Sequence, residues 1–169
     1  AGGLGFEQIE ASVLDVARFD TAQLAAAVLA GQAGRALRML DNLKAEGEAA
    51  VPVHWLLAED IRKLKRARDA MDDGKPLPLA LREAQVWRDK ERAFEALLPG
   101  VDGAALATLL EAASTCDGLI KGLRHPGWPD DAWDGLRRLV LMTLDLVAAA
   151  RAPGRKGRST ATPPLALRP

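Results

Sequence analysis

The sequence predicts an all-α fold, a bundle of about eight short-to-medium helices followed by a disordered C-terminal tail. Three observations carry that prediction. Val, Ile, Thr and aromatic residues are sparse while Ala, Leu, Glu, Arg and Lys dominate the 169 residues, a composition that disfavours strands. Apolar residues recur at spacings of three and four along most of the chain. Gly, Pro and Asp punctuate those periodic stretches at short intervals, as helix caps and turns do.

Phe6, Ile9, Val13 and Val16 form the first stripe. Asp20 reads as the N-cap of a second helix, with Gln23 three residues on and Phe19 and Leu24 at the two positions of a hydrophobic staple. That helix stops near Gly31. A third carries Ala36, Leu37, Leu40 and Leu43 inward and ends at a Gly47 C-cap. Pro52 opens a long helix in its first position, with Val53, Leu57, Ile61, Leu64 and Met71 on one line until Asp72-Asp73-Gly74. Pro76 and Pro78 introduce a short helix to about Gln85, and Trp87 to Leu98 reads as another, closed by Pro99-Gly100. Asp102 caps the next, stapled by Val101 and Leu106, with a stripe running through Leu109, Ala113, Cys116 and Ile120 to Leu123. Gly122 to Gly127 is a break. Pro129 then restarts the chain, with Asp130 and Asp131 suited to a helix N-terminus and Trp133, Leu136, Val140, Leu144 and Val147 facing inward.

Charge and cysteine content exclude several classes of function. The chain has 23 Lys+Arg against 23 Asp+Glu, but Arg155, Lys156, Arg158 and Arg168 lie in residues 152–169 without an acid. The tail thus carries +4 and residues 1–151 carry −4, a balance unlike that of a general polyanion binder. One cysteine rules out a disulfide framework or thiolate cluster. The longest apolar runs, such as Leu139–Leu141 with Met142, are too short to cross a bilayer, so no membrane partner is expected and the predicted location is cytoplasmic. Ala1-Gly2-Gly3 reads as a cut edge.

No catalytic constellation is present. The sequence lacks a phosphate-cradling glycine loop with its lysine, an HExxH pair and a nucleophile elbow, so neither catalytic nor cofactor-binding residues are assigned. His54 and His125 stand alone without a second ligand at metal spacing, and no metal site is predicted. His54 reads as a partly buried helix residue, and Cys116 as a small hydrophobe on its stripe. Two features stand out as candidate partner or DNA contacts. Arg62, Lys63, Lys65, Arg66 and Arg68 crowd one helix, either as a solvated face or as a surface for an acidic partner or a phosphate backbone. Trp128, between Pro126-Gly127 and Pro129, either staples onto its own helix or anchors a partner or an unstacked base. Trp133 is predicted to be core, and Trp128 the exposed anchor.

The order of segments resembles the delta subunit family of the bacterial DNA polymerase III clamp loader. The resemblance is carried by Phe6-Glu7-Gln8-Ile9, Ala17-Arg18-Phe19-Asp20, the run Leu24 to Gly31, Arg35 to Leu40 with Leu43 to Gly47, Leu56 to Leu64, Val86-Trp87, Leu106 to Leu123 and Trp133 to Val147. It covers about residues 6–150. It implies the end of a lid domain over 1–18, a helical C-terminal collar domain over 19–151 and a basic tail over 152–169. By the same resemblance the collar joins delta to the delta-prime and gamma/tau motor subunits in the pentameric loader that places the sliding clamp on primed DNA. The clamp would be gripped only through an N-terminal domain that this chain lacks, and contact with primed DNA would be indirect. Non-catalytic oligomerisation is the function implied. The alternative from the residues alone is a helical DNA-binding module using the basic run 62–68 and Trp128.

Overall fold

A computed structural model describes residues 5–152, and every regular element among them is helical. Seven α-helices follow one another: α1 (Phe6–Leu29), α2 (Ala33–Ala45), α3 (Ala50–Asp72), α4 (Leu77–Glu83), α5 (Glu91–Leu97), α6 (Gly103–Ile120) and α7 (Ala132–Arg151). Single 3-10 turns occupy Arg88–Lys90 and Leu98–Gly100. Of the expected tail over 152–169, all but Ala152 lies outside the described residues.

The count is seven rather than about eight because the first two predicted helices are one. α1 runs through Asp20 without interruption, a rod of about 36 Å at 1.5 Å per residue. Asp20 is therefore not an N-cap, and Phe19 is 63% exposed instead of stapled. No Gly or Pro lies between Phe6 and Leu29, and a break there would strand backbone donors that helix propagation satisfies. The Thr21 hydroxyl next to Asp20 donates back to the Ala17 carbonyl at 2.9 Å, and so is satisfied within the helix instead of competing with it. The boundary predicted between residues 18 and 19 thus falls inside a helix. α1 does end where glycine allows it: Gly31 has φ +73°, with its N–H on the Val28 carbonyl and that of Gln32 on Ala27. Gly47 closes α2 in the same way.

Pro52 is the third residue of α3, not the first, since Ala50 and Val51 are already helical. At that position its missing N–H is still one that no helical carbonyl needs. Asp102 and Asp131 act as side-chain caps, accepting from Ala104 and Ala105 and from Trp133 and Asp134 respectively. Val101 and Leu106 are both buried, as a staple requires. α6 stops at Ile120, so Leu123 lies beyond the helix and is exposed.

α3 is the hub of the packing. Its inward line of Val53, Leu57, Ile61 and Leu64 is buried, and it touches α1, α4, α6 and α7. Phe94 of α5 and Leu136 and Leu139 of α7 complete the same cluster, each 0% exposed. Arg151 donates to the Leu29 and Ala30 carbonyls at 3.0 and 2.5 Å, placing a cation on the negative end of α1 and fastening α7 to it.

Candidate docking surface

Trp55 lies two residues after Val53, about 200° around α3 from the core line, and it is 60% exposed. Its indole stands on a ridge between two clefts. The larger, of about 670 Å³, runs between α1 and the start of α3 and is lined by Leu14, Ala17, Thr21, Val51, Pro52 and Leu56. The smaller, of about 290 Å³, lies between α3 and α6 against His54, Ala58, Arg62, Leu110, Ser114 and Asp117. Val51 and Leu14 are themselves exposed, so ridge and large cleft make one apolar surface. Large contiguous apolar patches mark places where another surface docks, and aromatic residues beside pockets carry most of the energy in such contacts.

The basic run of α3 is largely neutralised by its own helix. Arg62 pairs with Glu59 at 3.0 Å, Lys65 with Asp69 at 2.5 Å, and Arg68 with Asp72. Arg68 also donates to the Leu98 carbonyl at 3.0 Å. The Arg68 guanidinium holds the Asp72 carboxyl below the usual carboxylate range. Lys63 and Arg66 alone in the run make no ion pair among the described residues. These five residues therefore do not assemble into one open cationic face.

Trp128 is partly buried against the core cluster, and the Arg138 guanidinium sits 4.3 Å from the centre of its ring. Arg138 also donates to the Gly127 carbonyl, so indole and guanidinium fold back together on α7. Trp128 is thus stapled to its own helix, which corrects its expected place as the exposed anchor. Trp133 is likewise partly buried on the cluster. The two most exposed tryptophans are Trp55 and Trp87, the latter 57% exposed. Trp87 sits between Gln85 at φ +56° and Arg88 at φ +49°, two non-glycine residues in the left-handed region. The position of Trp55 was readable from its angle to the core line. That of Trp87 was not, since nothing in the local sequence signals a left-handed Gln or Arg.

His54 and Cys116 take structural places. The His54 Nε2–H donates to the Ala113 carbonyl at 2.7 Å, and its Nδ1 lies 4.0 Å from Asp117. Cys116 is fully buried, and burial pushes its thiol up to about 12, so it stays protonated and packs as an apolar group. His125 is an exposed loop residue whose Nδ1 contacts the Pro126 carbonyl. Among the described residues no group of three or more His, Cys, Asp and Glu side chains is arranged to hold a metal ion, and no helix is long and apolar enough to cross a membrane. Compared with protein families, curated proteins and solved structures, the chain matches none of them.

Proposed function

We propose that the helical body of this chain is a non-catalytic oligomerisation domain of the clamp-loader collar type, holding a delta-like subunit among its partners in the bacterial cytoplasm. The observation that carries this reading is the Trp55 ridge with its two clefts, an apolar surface built on the hub helix. The segment order read from the sequence supplies the family, and the surface supplies a place for its work. Charges around the ridge, such as Arg18, Glu48 and Arg62, would set register and encounter rate, with Trp55 and the cleft walls supplying affinity.

Replacing Trp55 with alanine is the test. Its indole is mostly in solvent, so the melting temperature should move by no more than about 3 °C. Binding to the motor and delta-prime subunits of a bacterial clamp loader should weaken by at least about 30-fold, the loss of one anchor residue at an interface. Full binding by the variant would remove Trp55 from the interface.

One observation favours a second reading, contact with a nucleic-acid strand, but moves it away from residues 62–68. Arg88, adjacent in sequence to the exposed Trp87, and Arg92, in the first turn of α5, make no ion pair among the described residues, unlike Arg62, Lys65 and Arg68. An open aromatic face flanked by unpaired cations is a stacking platform. Binding of a single strand that falls steeply with salt and is lost in Trp87→Ala, yet survives Arg66→Ala, would establish that reading.

A further inference from the structure

We infer that α1 is a self-association element, and that a second copy of this chain lies antiparallel along its projecting half. This goes beyond the collar reading, which uses α1 only where Leu14, Ala17, Arg18 and Thr21 border the large cleft. At 100° per residue, Phe6, Ile9, Val13 and Ala17 share one face with Leu24 and Val28. From Leu24 onward that face is core, whereas Phe6 is 81% and Val13 58% exposed. The first half of α1 thus carries the same apolar line as the second, with nothing among the described residues packed on it.

Charge placement selects the occupant. Glu7 and Glu10 precede Val13 and Arg18 follows it, all three on the edge of α1 toward the large cleft, which Arg18 lines. Pairing two α1 helices antiparallel about Val13 puts residue 18 of each at the level of residue 8 of the other. Arg18 of one copy then lies between Glu7 and Glu10 of its mate, and the arrangement repeats by the two-fold axis. A parallel pairing would instead set this edge against the other edge of its mate, where Gln8, Ser12, Val16 and Phe19 stand, and would leave Glu7, Glu10 and Arg18 without facing partners of opposite charge. Arg18 is available for this role, because its own-helix contact to Asp15 is long, at 3.9 Å, with both side chains in water. The same register brings each Phe6 to the level of residue 20 of the second copy, at the mouth of the cleft beside Thr21. The antiparallel register sets the two bodies at opposite ends of the paired segment.

A charge swap on the full chain tests this, read by light scattering over a concentration series. The wild-type chain should approach twice its 18.0 kDa mass and stop there. Glu7→Lys/Glu10→Lys and Arg18→Glu should each be monomeric alone, through new like-charge contacts. Mixed together they should form a heterodimer, because both edges then carry opposite charges. Val13→Asp should weaken pairing at least about tenfold by setting two carboxylates together on the two-fold axis. All these residues are exposed, and circular dichroism should report unchanged helix content. A wild-type chain that stays monomeric throughout the series overturns the inference. So does association that continues past two copies, that ignores the charge swap, or that disappears when residues 153–169 are removed, which would make the basic tail the occupant.

Discussion

Replacing Lys90 with methionine is expected to cost about 3 kcal/mol of stability at neutral pH, and the loss should shrink as the pH falls toward 5. The reason is Asp60. Its side chain is buried on α3, Oδ1 accepts from the Lys90 ammonium, and Oδ2 has no partner among the described residues. Burial pushes this carboxyl above its ordinary value, against the pull of Lys90 and Lys63 and with a smaller push from Glu59. A carboxyl raised on folding gives up its proton in the unfolded chain first. Stability therefore falls as pH rises from the ordinary carboxylate value through the folded one. Lys90 is the largest force opposing that rise, so its removal widens the window upward and leaves a buried, uncompensated charge at pH 7. Because the ammonium is one-third exposed, the figure is set at the low end of what breaking a buried pair costs. Urea denaturation at pH 7 and pH 5 measures it. Adding Asp60→Asn to Lys90→Met should restore most of the loss, since the amide carries no charge to strand. An equal loss at both pH values would show that the lysine acts through packing alone.

Gly100→Ala should destabilise the chain by a similar amount, about 3 kcal/mol, for a steric reason. A Cβ on Gly100 would lie 2.1 Å from the Ala150 carbonyl oxygen and 3.0 Å from its carbon. Both are backbone atoms near the end of α7, and relieving the clash means moving that helix off the 3-10 turn at Leu98–Gly100. Gly135→Ala is the control. Its added methyl meets Leu119 Cδ1 at 2.7 Å, the far end of a side chain that can rotate. The residual crowding is offset by about 1 kcal/mol from placing Ala instead of Gly inside a helix. Thermal unfolding should therefore separate the two variants clearly, with Gly135→Ala within about 1 kcal/mol of the wild type. Equal stabilities would mean that the approach of α7 to Gly100 is not close in solution.

Much of the fold was legible because its helix ends carry local chemistry. Asp102 and Asp131 cap with their side chains, and Gly31 and Gly47 take the left-handed turn that ends a helix. The error at Asp20 is instructive. Asp with Gln three residues on is a start signal, but nothing before it stops the helix already under way, and Thr21 bonds back into it. Start signals without stop signals do not divide a chain. The pairing of Arg62, Lys65 and Arg68 was also within reach, since Glu59, Asp69 and Asp72 stand three or four residues away. The Lys90–Asp60 pair and the Arg68 bond to Leu98 span 30 residues and arise only from packing. The docking surface divides in the same way. That Trp55 points away from the core follows from helix geometry, but the clefts beside it exist only because α1 and α6 lie where they do.

The most direct test of the collar reading is size-exclusion chromatography with light scattering. The chain is run alone and then mixed with clamp-loader motor and delta-prime subunits, at low and at moderate salt. The account predicts a co-eluting complex that survives moderate salt, as apolar docking does, and that is lost with Trp55→Ala. A chain that elutes unchanged from every mixture, while its partners assemble without it, would contradict the account.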